Sequence, residues 1–101
     1  MTYKVNSKTT SIKGSSFKGT VCTTYDELIS KLGESRGPSG DNKVKAEWII
    51  EGEDRTVATI YDWKLDSIPK DLYRWHIGGS THKALDLVEE VLGVPTTASR
   101  F

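Results

Sequence analysis

Few residues in this chain could carry chemistry, and their spacing narrows what that chemistry could be. His76 and His82 are the only histidines. Their separation matches neither a helical i,i+4 ligand pair nor a zinc motif, and Cys22 has no second cysteine to complete a site. Neither a metal nor a cofactor is expected. No nucleophile signature surrounds Cys22, which reads as a buried or half-buried thiol. The best candidate is Gly78-Gly79-Ser80-Thr81, ahead of the last helix. Its small residues and hydroxyls would expose backbone N–H groups where the helix dipole favours an anion. Arg74 and His76, just upstream, would add cationic donors, and the outward side of Tyr73 or Trp75 a surface on which a nucleobase could stack. Such a site would take a small anionic nucleotide. The competing reading is an ordinary strand-to-helix turn, because no Walker or dinucleotide fingerprint is present.

Asp62, Asp66 and Asp71, with Lys64 and Lys70, surround a connection and read as solvated surface charge. Trp63 and Trp75 offer another use of aromatic area: left exposed, they suit a protein-binding surface. The alternative is that all three tryptophans fill the core, the reading favoured for Trp48. No paired acid/base set is visible, so the chain is not expected to be an enzyme.

These residues must be positioned by one module. A chain of 101 residues supports a single domain, 1–101. Fourteen Lys and Arg balance fourteen Asp and Glu, so no global field draws nucleic acid, and a nucleic-acid partner is not expected. Lys4, Lys8, Lys13 and Lys18 form the one basic stretch and read as protection of an edge strand. No apolar run approaches the roughly 20 residues that span a bilayer. The unpaired cysteine and the lack of a leader-like start point to a reducing cytoplasm.

Short strands are expected near Thr2 to Val5 and Phe17 to Thr23. Thr24-Tyr25-Asp26-Glu27 has the form of a capping box and opens a helix over Tyr25 to Leu32, stopped by Gly33. Residues 33–42 have the composition of a flexible loop. From Lys43 to Lys64 alternation gives a hairpin that turns over Gly52 to Arg55 and pairs Glu51 with Thr56. That register sets Lys45 against Asp62. It also puts Trp48, Ile50, Val57, Tyr61 and Trp63 on the face beneath the helices. A third strand runs Tyr73 to Ile77. The Gly78 to Thr81 turn then caps a helix with an apolar stripe of Ala84, Leu85, Leu87, Val88, Val91 and Leu92. Residues 94–101 read as a frayed tail whose terminal Phe101 could dock locally. The class is α+β: a small antiparallel sheet, made of the central hairpin, strand Tyr73–Ile77 and N-terminal strands, covered by two helices.

The succession TYDELISKLG, KVKAEWIIEGED, TVATIYDWK and WHIGG, followed by a short helix, resembles a family of small uncharacterised α+β proteins encoded by tailed bacteriophages and other large DNA viruses. The resemblance covers roughly Phe17 to Leu92 and is most specific in AEWIIE, ATIYDWK and WHIGG. Members of that family often carry glycine where this chain has Arg55. The resemblance implies a context: a viral accessory protein in the cytoplasm of an infected bacterial cell. There it would act without catalysis, binding and inhibiting a host or antiviral-defence protein through the sheet face or its loops. Nucleotide sequestration at Gly78 to Thr81 is the alternative, and an exposed sheet edge would allow a continuous-sheet homodimer.

Overall fold

The computed structural model describes residues 3–7, 10–38, 40 and 43–99. Alternating stretches form strands and helical stripes form helices, in the order β1 (Tyr3–Val5), β2 (Ser16–Thr23), α1 (Tyr25–Leu32), β3 (Glu47–Gly52), β4 (Val57–Tyr61), β5 (Tyr73–Gly79), α2 (Lys83–Leu92) and β6 (Thr97–Ala98). The strands build one antiparallel sheet ordered β1-β3-β4-β5-β2-β6. Both helices bury their apolar stripes in a single cluster on one sheet face, which is the expected α+β arrangement. The two sheet edges, β1 and β6, are only three and two residues long and present few unpaired backbone groups.

Two tryptophans brace the ends of α1. Thr24 accepts a hydrogen bond from the Glu27 N–H at 3.2 Å, the threonine half of the box that the T-x-x-E spacing predicts, and the Gly33 N–H donates to the Ile29 carbonyl at 2.8 Å. The Trp75 indole N–H donates to the Thr23 carbonyl just before this cap, at 3.2 Å, and the Trp48 indole N–H to the Gly33 carbonyl just after the helix, at 2.9 Å. The two rings meet edge to face, 5.6 Å apart, with Tyr25 against both. Because each indole N–H has a partner, both side chains are buried completely without an orphaned donor.

Helix α2 lays Ala84, Leu85, Leu87, Val88 and Leu92 into the same core. Its close approach depends on glycines in the sheet: a Cβ on Gly52 would lie 3.1 Å from Leu87 Cδ1, and one on Gly79 only 2.5 Å from Ala84 Cβ. At its C-terminus, the Lys31 ammonium donates to the Leu92 carbonyl at 2.6 Å, where the helix dipole favours a cation.

The β3–β4 register differs from the expected one by a single residue. Glu51 pairs with Val57, Ile50 with Ala58, Trp48 with Ile60 and Glu47 with Tyr61. The cause is the turn. Arg55 adopts a left-handed φ of 68°, and the Gly52 N–H to Thr56 carbonyl bond (2.9 Å) and the Arg55 N–H to Gly52 carbonyl bond (3.0 Å) close a three-residue loop in place of a four-residue one. A one-residue slip turns every β4 side chain over. Ala58 and Ile60 therefore join Trp48, Ile50, Trp75 and Ile77 in the core, while Val57, Tyr61 and Trp63 do not belong to the face beneath the helices.

The slip also changes the role of Asp62. It is completely buried instead of being solvated, and it stands opposite Ala46, not Lys45. Its Oδ1 accepts the backbone N–H groups of Lys45 (2.7 Å) and Ala46 (3.1 Å), while Oδ2 has no hydrogen-bond partner.

The loop and the tail are held more firmly than their composition suggests. The Arg36 N–H donates to the Glu47 carbonyl at 2.8 Å, and Asn6 Nδ2 to the Glu34 carbonyl at 3.1 Å; Ser39, Asp41 and Asn42 lie outside the described residues. After α2, Glu89 accepts both the N–H (2.9 Å) and the hydroxyl (2.7 Å) of Thr96, β6 pairs with β2, and the Ser99 N–H reaches the Lys18 carbonyl at 2.8 Å. Phe101 lies outside the described residues.

Candidate functional site: the helix-free face of the sheet

Residues that alternate with the core form the opposite face. Glu47, Tyr61, His76 and Thr20 are directly opposite one another across β3, β4, β5 and β2. Cross-strand neighbours on one face are close enough to touch. Tyr61 stacks on His76 with 5.4 Å between ring centroids, and Trp63, just beyond the end of β4, meets Tyr61 edge on at 6.2 Å. Phe17 completes the row, 5.2 Å from His76.

Phe17 belongs to this face because β2 shifts register between Phe17 and Gly19, which places Phe17 opposite Gly78. Gly78 offers no side chain, and a Cβ there would come within 2.6 Å of Thr59 Oγ1. The result is a continuous aromatic row, Phe17–His76–Tyr61–Trp63, with its two ends about two-fifths exposed (Phe17 40%, Trp63 39%).

The two halves of the row differ electrostatically. At the Trp63 end, Lys43 and Lys64 place their ammonium groups 5.9 and 5.7 Å from the indole, and Arg74 is exposed on β5 beside His76. At the Phe17 end, the chain after β1 turns back across the sheet. The Thr10 hydroxyl donates to Glu51 at 2.8 Å, and Ile12 joins Phe17, Tyr61, Thr59 and Glu47 around a pocket of about 140 Å³.

Burial shapes the titrating groups of this face. It raises the Glu47 carboxyl above its ordinary 4.5, against the opposing charge of Arg36. It raises the Tyr61 phenol, with the Glu47 charge adding to the effect. It lowers the His76 imidazole below 6.5, opposed by the charge of Asp62. His76 Nδ1 is buried without a hydrogen-bond partner.

The structure separates the residues of the expected anion site. Gly78 and Gly79 are strand residues, not the helix start, and each answers to packing: Gly78 against Thr59 and Tyr61, Gly79 against Ala84. Ser80 and Thr81 are exposed ahead of α2, where Thr81 Oγ1 accepts the Lys83 N–H at 3.3 Å and the N-cap residue, His82, makes no side-chain cap. Arg74 and His76 alternate with Trp75, Ile77 and Gly79 and so stand on the face away from α2. Trp75 is fully buried and offers no stacking surface, whereas Cys22, expected to be sheltered, is exposed. Of the residues singled out from sequence, Trp63, Arg74 and His76 come together. Phe17, Tyr61 and Glu47 join them unanticipated, because their face depended on a bulge and on a register that local patterning left open.

A larger hollow, about 510 Å³, lies on the other side of the molecule between the β3–β4 turn and α2, with Glu53, Asp54, Asp86 and Glu90 around Lys83. Among the described residues, no three His, Cys, Asp or Glu side chains gather as metal ligands, and no described helix is long and apolar enough to cross a membrane. Compared with protein-family models, curated proteins and solved structures, the chain finds no match.

Proposed function

We propose that this protein is a non-enzymatic binding module whose contact surface is the helix-free sheet face. In the context the sequence resemblance implies, its partner is a host or antiviral-defence protein of a phage-infected bacterial cell, which it inhibits by occupying a functional surface. The observation that carries this reading is Trp63: a large indole, 39% exposed, with two lysine ammonium groups 5.9 and 5.7 Å from its ring and at the end of an aromatic row. Aromatic and arginine side chains supply most of the binding energy in protein interfaces, and here Trp63 and Arg74 share one end of a face. The cations around Trp63 suit a partner segment that carries acidic residues.

The test is native mass spectrometry of the protein purified from infected cells. A bound protein should be retained by the Lys83→Glu variant, altered on the helix side. Trp63→Ala or Arg74→Glu should lose it, each weakening binding by roughly 2 kcal/mol or more. Undiminished binding by both face variants would defeat the proposal.

A further inference from the structure

The pocket at the Phe17 end is unlike the rest of the face, and its chemistry selects an occupant. At about 140 Å³ it is too small for a drug-sized ligand, whose pockets run from roughly 300 to 1,000 Å³, but it has room for one side chain. Its wall combines the apolar and aromatic side chains of Ile12, Phe17 and Tyr61 with the hydroxyl residues Ser15, Ser16 and Thr59, and it contains one carboxylate, Glu47. Ile12 and Phe17 are 41% and 40% exposed, so the entrance is open. Gly78 beneath it keeps the space free, because a Cβ would collide with Thr59.

Rings beside an acid accept a cation on an apolar stem: the ring faces attract the charge, the stem covers apolar wall, and the carboxylate forms a charge-assisted hydrogen bond. The guanidinium suits this set better than an ammonium, since it is planar, stacks on rings, gives up hydration more easily and meets a carboxylate with two parallel donors. We infer that this pocket is a socket for an arginine side chain of the partner protein. Burial disfavours the charged form of Glu47 against the opposing charge of Arg36, so a further cation beside it would favour the ionised carboxylate.

The two ends of the row then read a partner in opposite senses. Glu47 receives an arginine, while the lysines around Trp63 favour acids on the partner, so the two ends select for opposite charges. This inference rests on the binding-module reading for the source of the arginine, but the pocket can be probed without any partner.

The experiment is an NMR titration of the intact protein with N-acetylarginine amide, N-acetylnorleucine amide as a neutral analogue with a shorter, wholly apolar side chain, and the peptide Gly-Gly-Arg-Gly-Gly. The arginine amide should give saturable shifts at Glu47, Tyr61 and Phe17, the peptide should reproduce them, and the norleucine amide should not saturate over the same range. Glu47→Gln, which retains shape, should weaken the arginine probes by about tenfold or more. Phe17→Ser, at an exposed position, should weaken them with Glu47 intact. Equal response to the norleucine amide, or unchanged affinity in Glu47→Gln, overturns the socket. Binding of the amide but not the peptide assigns the pocket to a free small cation and overturns the side-chain source. Failure of the arginine probes while partner capture still needs Trp63 removes the socket alone. Binding of the probes without Trp63-dependent capture removes only the proposed function.

Discussion

The two faces of the sheet are made of alternate residues from the same strands, yet they use aromatic side chains in opposite ways. On the helix side, Trp48 and Trp75 are wholly buried, and each gives its N–H to a backbone carbonyl at one end of α1. They hold the fold together, and nothing polar on them remains to be satisfied. On the other side, Phe17, His76, Tyr61 and Trp63 contact one another but are left partly open, next to a desolvated carboxylate and an imidazole nitrogen without a partner. Unmet polar capacity beside exposed rings is costly for stability alone and useful for recognition. An aromatic count cannot tell these roles apart, but the exposure of each ring can.

Exchanging one indole on each face tests the contrast most strongly. Trp48→Ala should destabilise the protein by about 3–5 kcal/mol, combining lost burial with a cavity, whereas Trp63→Ala should change stability by less than about 1 kcal/mol while removing partner binding. Comparable losses in chemical denaturation would erase the distinction.

A smaller effect is expected at the turn that decides which β4 residues reach which face. Arg55→Gly should stabilise by about 0.5–1 kcal/mol, since a left-handed non-glycine residue costs about 1–2 kcal/mol and glycine returns part of that through chain entropy. A raised unfolding midpoint with an unchanged spectrum elsewhere is the expected result, and a loss of stability would argue against this turn geometry.

The smallest effect is electrostatic. Burial lowers the folded-state pKa of His76 below 6.5, so between that lowered value and 6.5 the unfolded chain binds more protons. Stability should hold above pH 6.5 and fall as pH drops below it. Glu47, raised above 4.5, acts in the other sense, contributing stability below 4.5 that is lost as pH rises through its folded value. Denaturation curves for His76→Gln should lack the decline just below pH 6.5; if the decline persists, it comes from another group.

Much of the frame was legible because it depends on local rules. The T-x-x-E box and Gly33 placed α1 at its observed limits, the alternation of Ala46, Trp48 and Ile50 set the inward side of β3, and the apolar stripe identified α2. The site was less legible. Trp63, Arg74 and His76 were singled out for their residue types, but the grouping with Gly78 to Thr81 assumed that the glycines opened a helix, when they continue β5 because Thr59 and Ala84 leave no room for a Cβ. The opposite charges of Lys45 and Asp62 favour a register one residue away from the observed one, in which Asp62 instead ties the Lys45–Ala46 backbone to the end of β4.

By itself, then, the sequence determined the class of the fold, the positions of its helices, and which side of β3 faces the core, because periodicity and capping act over a few residues. Tertiary structure decided which aromatic residues stay open. A left-handed Arg55, a register shift after Phe17 and glycines shaped by their neighbours each move a whole strand face, and in sheets of period two a shift of one residue turns inside to outside.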